Sequence, residues 1–319
     1  MKIVIPGGSG HVGTLLARAL ASGGNDVVVL SRREPRAAAW RVAEWDGRTV
    51  GEWSKEIDGA DVVINLAGRS VNCRYTPANR AEILDSRVRS TRAVGTAIAR
   101  SKKPPRVWLQ ASTATIYAHR YDAANDETSG ILGGSEPNAP ETWRFSIDVA
   151  RAWEAALDEA DASSTRKVAL RSAIIMSPDD GGPFATLMEL VGRGLGGRAG
   201  DGRQYVSWIH DSDFVRAVSW LIAHDALAGV VNVSSPNPIP QEDFMRALRN
   251  AAGARVGLPA LSWMLEIGAV VMRTETELIL KSRRVVPARL LESGFVFTHP
   301  NWPDAALDLV RRRRSGGQR

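Results

Sequence analysis

Seven residues near the start of the chain, Gly7-Gly8-Ser9-Gly10-His11-Val12-Gly13, have the types and spacing to hold a phosphate. They follow the apolar run Ile3-Val4-Ile5, and they fit G-x-G-x-x-G through Gly8, Gly10 and Gly13, or G-x-x-G-x-x-G through Gly7, Gly10 and Gly13. In either register bare backbone can approach a pyrophosphate, and the first N–H groups of the following helix face it. Val12, Leu15, Leu16, Ala19 and Leu20 repeat at helical spacing, so the helix is expected to pack one face on a sheet. A second strand, Asp26 to Leu30, ends in Ser31-Arg32-Arg33 where an NAD site would carry an acidic residue for the ribose 2′-hydroxyl. A guanidinium fork with a hydroxyl beside it suits a 2′-phosphate, so NADP (NADPH) is expected ahead of NAD, with Glu34 the one nearby feature against it.

Other chemistry is bounded by composition. Cys73 is the single cysteine, which excludes an internal disulfide and a cysteine-rich metal site, and it reads as a small loop or interior residue. The five histidines form no ligand spacing with one another or with paired carboxylates, so no metal is expected. The net charge of +6 is concentrated in Arg311-Arg312-Arg313-Arg314, without aromatic interleaving or a nucleic-acid module, so no nucleic-acid partner is expected. Apolar stretches are strand-length and interrupted by charge, and the chain runs directly into its first strand. Neither a membrane span nor a signal segment is expected, and the location is expected to be cytoplasmic.

The elements that must position the glycine loop alternate. Lys2 to Pro6, Asp26 to Leu30, Asp61 to Leu66, Arg106 to Gln110 and Lys167 to Ile175 read as strands, with helices between several of them; the longest spans 79–101 and is stopped by Pro104-Pro105. This pattern predicts an α/β fold, a doubly wound parallel (Rossmann) sheet with a smaller, discontinuous, mainly helical substrate domain. Residues 1–178 with 205–235 are expected to form the dinucleotide domain, 179–204 with 236–310 the substrate domain, and 311–319 a disordered basic tail. The glycine-rich run Gly192 to Gly202 reads as loop; Tyr205 to Ile209 as strand, about Asp211 to His224 as helix and Val230 to Val233 as strand. The active site is expected in the cleft at the carboxyl ends of the strands.

Asn65-Leu66-Ala67-Gly68 and Ala111-Ser112-Thr113-Ala114-Thr115-Ile116-Tyr117, with the glycine loop, resemble the extended short-chain dehydrogenase/reductases, among them nucleotide-sugar epimerases and dehydratases. Further stretches, Ile83-Leu84-Asp85-Ser86-Arg87 through Ser90-Thr91, Arg151-Ala152-Trp153-Glu154, Gly202-Arg203-Gln204-Tyr205, Ser207-Trp208-Ile209-His210, Val286-Pro287-Ala288-Arg289-Leu290 and Ser293-Gly294-Phe295, are similar to one atypical branch. Its members are known only as epimerase family proteins with a C-terminal domain of unknown function. The resemblance implies that Leu66, Ala67 and Gly68 line the dinucleotide, that Ser86 lies beside its central portion, that Ser112 and Thr113 lie next to the nicotinamide, and that Asp46 lies near the adenine. Thr113 takes the place of the family's substrate-orienting hydroxyl.

The same resemblance implies a Tyr-x-x-x-Lys dyad, and here its positions hold Phe145 and Val149. A phenyl ring cannot exchange a proton, and valine has neither charge nor donor. Tyr117 and His210 are the candidates to take over proton transfer beside Thr113, each with a packing alternative: Tyr117 beside the strand, His210 satisfied by polar neighbours. His119 and Tyr121 are loop residues that either contact substrate or are solvated. Trp143, Phe145, Arg203, Gln204 and Trp208 are candidate substrate contacts, with Phe184 a further candidate wall; core packing or loop anchoring is the alternative for each. Three functions stay open: an NADP(H)-dependent oxidoreductase or epimerase-like enzyme acting on a small polar molecule, a nucleotide-binding sensor or interaction protein, and a lyase, isomerase or cyclase of specialised metabolism. The expected partner is a small-molecule substrate, for a monomer or homodimer.

Overall fold

Unbroken apolar runs make up the first strands, the mark of strands covered on both faces. In the computed structural model, which describes every residue except 33–37, 138, 261–274, 276 and 317–319, the strands are β1 (Lys2–Pro6), β2 (Asp26–Ser31), β3 (Arg41–Glu44), β4 (Val62–Asn65), β5 (Val107–Thr113), β6 (Arg166–Ser172), β7 (Ile174–Met176), β8 (Tyr205–Val206), β9 (Trp208–His210), β10 (Gly229–Val233) and β11 (Ile239–Pro240). Seven of them form one sheet in the order β10-β6-β5-β4-β1-β2-β3, parallel at every pairing. This is the doubly wound Rossmann arrangement. The described helices are α1 (His11–Ser22), α2 (Ser54–Ile57), α3 (Pro77–Arg100), α4 (Glu141–Asp158), α5 (Pro183–Gly192), α6 (Asp211–Ala223), α7 (Gln241–Ala252), α8 (Glu277–Leu280), α9 (Ala288–Glu292) and α10 (Trp302–Gly316).

The period-two rule sorts each strand between two cores. Ile3, Ile5, Val27, Val29, Ile64, Leu109 and Leu170 pack with Leu16 and Leu20 of α1 and Phe214, Val218 and Leu221 of α6. Val4, Val28, Val63 and Trp108 pack on the other face with Val94 and Ile98 of α3 and Leu157 of α4. β1 lies between β2 and β4, so the chain order reverses there and a crevice opens beyond its carboxyl end, above the glycine loop. A third core joins Phe184 of α5, Trp208 of β9, Phe244 and Leu248 of α7, and Trp302 and Leu309 of α10.

Several elements depart from the sequence expectation. The single strand expected from Lys167 to Ile175 is two: after the Ala173 N–H donates to Val233 (3.0 Å), the chain leaves the main sheet and β7 pairs in parallel with β9. Tyr205 to Ile209 likewise divides at Ser207, where β8 pairs antiparallel with β11. The Ser207 hydroxyl donates to the Arg283 carbonyl (2.6 Å) and accepts from the Val285 N–H (2.9 Å), while its carbonyl accepts from the Ile174 N–H (3.3 Å) beside the β7–β9 pairing. Helix α3 starts at Pro77, with the Thr76 side chain accepting from the Asn79 N–H (3.3 Å).

The basic stretch Arg311 to Arg314, expected as a disordered tail, is the last part of α10. Trp302, Ala305, Ala306, Leu309 and Val310 bury its apolar face, and its arginines have partners. Arg312 forks onto both oxygens of Asp211 (2.7 Å each), while Arg313 donates to the Pro178 carbonyl (2.7 Å) and to Asp180 (2.9 Å).

Candidate functional site

The four glycines of the loop divide three tasks. Gly7 has φ +75°, and a Cβ there would lie 2.6 Å from the Ala67 Cα; the two loops at the crevice touch backbone to backbone. A Cβ on Gly8 would meet the Ile5 carbonyl at 2.9 Å, and one on Gly13 the Gly8 Cα at 2.4 Å, so these two glycines let helix and turn close on each other. Gly10 differs. A Cβ there would find only the Gly7 carbonyl, at 3.8 Å, and would stand in open space at the amino end of α1. Gly10 caps that helix without a side-chain hydrogen bond, and the next residue, His11, holds a buried Nε2 with no hydrogen-bond partner. Unsatisfied donors, an orphaned ring nitrogen and free space fit a dinucleotide pyrophosphate. Ser31 donates to Ser9 (2.9 Å), tying the end of β2 to the loop; Arg32 is exposed beside it, and Arg33 lies outside the described residues.

Behind the Ala67 turn the scaffold is fixed by hydrogen bonds. Asn65 is buried, donates to Gln110 (2.9 Å) and accepts from the Ala67 N–H (3.1 Å), while the Leu66 N–H donates to the Pro6 carbonyl (2.8 Å). Ser86 accepts from the Arg69 N–H (2.9 Å), so it braces the loop that contains Gly68. Asp46 accepts from the N–H groups of Arg48 (2.8 Å) and Thr49 (2.9 Å) and from the Thr49 hydroxyl (2.6 Å), and so organises its own turn.

At the carboxyl ends of β5 and β6 lies a cavity of about 270 Å³ whose wall includes Arg87, Ser112, Thr113, Phe145, Ser146, Val149, Trp153 and Glu277. Thr113 caps the one-turn helix after β5, its Oγ1 accepting from the Thr115 N–H (3.1 Å). That bond leaves the hydroxyl proton available to an oxygen in the cavity. The Ser112 hydroxyl donates to Glu154 (2.5 Å), and Glu154 holds Arg171 through both oxygens (2.9 and 2.7 Å). Phe145, Val149 and Trp153 recur at four-residue intervals on α4, so the two dyad positions face the cavity with apolar side chains.

Arg87 supplies positive charge to the same wall. It donates to the Ile83 carbonyl (2.9 Å) and lies over the Trp153 ring at 5.0 Å, with no ion pair to a carboxylate among the described residues. Burial pushes its guanidinium down to about 10.

The structure does not bring the other proton-transfer candidates to this cavity. Tyr117 is buried away from the cavity lining, donating to Asn232 (2.9 Å) and accepting from Arg171 (3.0 Å). His210 is buried at the start of α6, its ring nitrogens against Ser212 (2.7 Å) and Asp308 (3.2 Å). Both side chains are satisfied where they stand, the packing alternative in each case. Among the described residues His210, His299 and Asp308 bring one ligand atom each within 4.8 Å of one another, a grouping no sequence spacing announces. Arg312, 3.4 Å from Asp308, already supplies a cation there.

Of the substrate candidates, Phe145 lines the cavity. Trp143, two residues earlier, packs on the His119 ring at 4.7 Å. Gln204 is buried and donates to the carbonyls of Ala199 (2.9 Å) and Ile279 (3.2 Å), so it anchors chain. Arg203 is exposed over Tyr121, and Trp208 and Phe184 belong to the third core.

Residues 3–234 match the model of the NAD-dependent epimerase/dehydratase family. The chain belongs to that family. Residues 262–309 match a domain of unknown function, DUF1731, which supplies Glu277 to the cavity. The chain is 30% identical over 318 residues to the epimerase family protein YfhF of Bacillus subtilis, covering 99% of this chain and 100% of that one. It is 27% identical to human epimerase family protein SDR39U1, covering 97% and 100%. The crystal structure of human SDR39U1 isoform 2 with NADPH superposes with a TM-score of 0.84 at 26% identity, covering 98% of this chain and 99% of that one.

Ser146, Glu277 and the role of Arg87 escape sequence reasoning. Arg87 falls in a stretch that marks the family branch, and that was the one available signal. Nothing in the sequence near Glu277 indicates that it meets a helix more than a hundred residues earlier.

Proposed function

We propose that the protein is an NADP(H)-dependent oxidoreductase or epimerase-like enzyme acting by hydride transfer on a small polar molecule that carries a carbonyl or alcohol. The observation that carries this reading is the cavity lined by Thr113 at the carboxyl end of β5, in a sheet whose first turn fits a dinucleotide pyrophosphate. The dinucleotide supplies or accepts the hydride when bound. Gly10 leaves room for its phosphates beside the first turn of α1 and the His11 ring, Gly7, Gly8 and Gly13 shape the turn that positions them, and Leu66, Ala67 and Gly68 border it. Thr113 donates a hydrogen bond to the reacting oxygen and stabilises charge developing there. Arg87 attracts the oxygen-rich part of the substrate, while Phe145, Val149 and Trp153 exclude water from the reacting carbon.

NADPH is favoured over NADH by Arg32 at the end of β2 and by the NADPH bound in the human relative's structure. Calorimetry is expected to give tighter binding of NADPH than of NADH, and Arg32→Ala is expected to narrow the gap. Equal affinities overturn the cofactor assignment. The reaction class is tested by following NADPH absorbance with a panel of small aldehydes, ketones, dicarbonyls and quinones. Tight NADPH binding without oxidation by any of them favours the sensor or interaction protein, the reading that the lost dyad keeps in play.

A further inference from the structure

The cavity contains an acid that the hydride-transfer reading has not used. Glu277, the first residue of α8, is fully buried and forms part of the cavity wall against α4. Its Oε2 lies 2.5 Å from the Ser146 hydroxyl, its Oε1 is buried with no hydrogen-bond partner, and the Arg283 guanidinium is 3.8 Å away. Ser146 lines the cavity beside Phe145, so a hydroxyl sits one residue from the position of the missing phenol. The ionisable groups around the carboxyl are Arg283, Lys281, Glu275 and the Tyr75 phenol, whose oxygen is 3.5 Å from the Ser146 Oγ.

These neighbours divide by what they can release. Burial pushes the Tyr75 phenol up to about 12, with the Glu277 charge adding to it, so near neutral pH it keeps its proton. Lys281 donates to the Thr115 carbonyl (2.7 Å), away from Ser146. Burial also pushes the Glu277 carboxyl above the ordinary carboxylate range, against the pull of Arg283 and Ser146. A carboxyl whose hold on its proton is strengthened by burial and which is hydrogen-bonded to a cavity hydroxyl is a proton source with a path.

We propose that Ser146 and Glu277 form the proton relay of this site, in place of the dyad lost at Phe145 and Val149. The relay rests on the hydride-transfer reading. In the reducing direction, hydride from the dinucleotide makes a C–H bond at the carbonyl carbon and the π pair moves to oxygen. That oxygen takes the Ser146 hydroxyl proton; the Ser146 oxygen takes the Glu277 proton, leaving a carboxylate beside Arg283 that regains a proton from solvent. Oxidation of an alcohol runs the same bonds in reverse. Ser146 touches the reacting oxygen, and Glu277 acts through it.

The test compares wild type, Ser146→Ala and Glu277→Gln in two measurements. The first is a wild-type minus Glu277→Gln infrared difference spectrum of the protein without cofactor. A protonated carboxyl band that persists to higher pH than an ordinary glutamic acid allows is expected, with Ser146→Ala moving its frequency; a Glu277 that ionises like an ordinary carboxyl overturns the relay without touching the hydride-transfer reading. The second is NADPH oxidation by whichever carbonyl compound of the panel the wild type reduces fastest. Both variants are expected to lose about 10²-fold or more in kcat, to keep NADPH affinity, and to lose the wild-type pH dependence of kcat. Unchanged kcat in Glu277→Gln overturns the relay alone, whereas wild-type protein that oxidises NADPH with no member of the panel overturns hydride transfer and the relay with it. Glu277→Asp, which keeps the acid one methylene further back, is expected to recover part of the rate; recovery equal to that of Glu277→Gln marks a packing role and overturns the relay.

Discussion

At the scale of single residues, the glycine loop makes opposite predictions for neighbours of the same type. Gly10→Val places a side chain in open space at the amino end of α1, so the fold is expected to survive and NADPH binding to be lost. Gly13→Ala drives a methyl to within 2.4 Å of the Gly8 backbone, so it is expected to lower stability as well as affinity. Circular dichroism melts beside calorimetry separate the two; a folded Gly10→Val that keeps micromolar affinity makes the loop a turn and nothing more. Thr113→Val keeps the shape of the side chain and removes the donor. Turnover on a reduced carbonyl compound is expected to fall about 10²-fold or more with NADPH affinity nearly unchanged, and wild-type turnover removes Thr113 from the chemistry.

At the scale of elements, β5, β6 and α4 are clasped by one buried ion pair. Glu154 of α4 holds Arg171 of β6 and accepts from Ser112 of β5, and Arg171 donates on to Tyr117 (3.0 Å). Burial alone would lower the Arg171 pKa, but the hydrogen bonds and charge of Glu154 outweigh it and raise the value. Removing one member leaves the other charged in a closed space, so Glu154→Ala is expected to cost about 3–5 kcal/mol in urea unfolding. A loss below about 1 kcal/mol would mean that water replaces the carboxylate. The stretch Arg151 to Glu154 marks the family branch in the sequence, and its physical reason appears only when α4 is laid against the sheet. Periodicity made β1, β2, α1 and α6 legible. It did not reveal the breaks at Ala173 and Ser207, because each is set by a partner more than twenty residues away.

At the scale of the whole molecule, the segment after Pro236 brings Glu277 back to close the cavity wall beside Ser146 of α4. Lys281 shows the cost of that closure. It is 1% exposed, and burial followed by the charge of Arg283 pushes its ammonium down to about 8 from an ordinary 10.5. Between those values the unfolded chain holds more protons at this site than the folded one, so its contribution to stability rises with pH from about 8 to 10.5 and is least favourable below 8. Urea unfolding of wild type and Lys281→Met across this range is expected to show the wild type gaining on the variant as pH rises. A constant difference between them rules out the depressed value.

The sequence by itself determined what local periodicity and backbone sterics enforce: a parallel sheet of apolar strands and a glycine turn into a helix; the family resemblance added that Phe145 and Val149 stand where a phenol and an amine are expected. The sequence put Thr113 just beyond a strand read as ending at Gln110, and the structure carries that strand to Thr113 itself. Only the tertiary structure decided where the ionisable side chains went. Tyr117 and His210 had the right chemistry, but buried polar groups take the partners that packing brings them, and Asn232, Arg171, Ser212 and Asp308 reached them first. Arg311 to Arg314 read as a solvated tail until the buried Asp211 gave Arg312 a fixed position. Glu277 reached the cavity for the same reason: contact between Ser146 and a carboxyl 131 residues later is a property of the folded chain, and no local pattern encodes it.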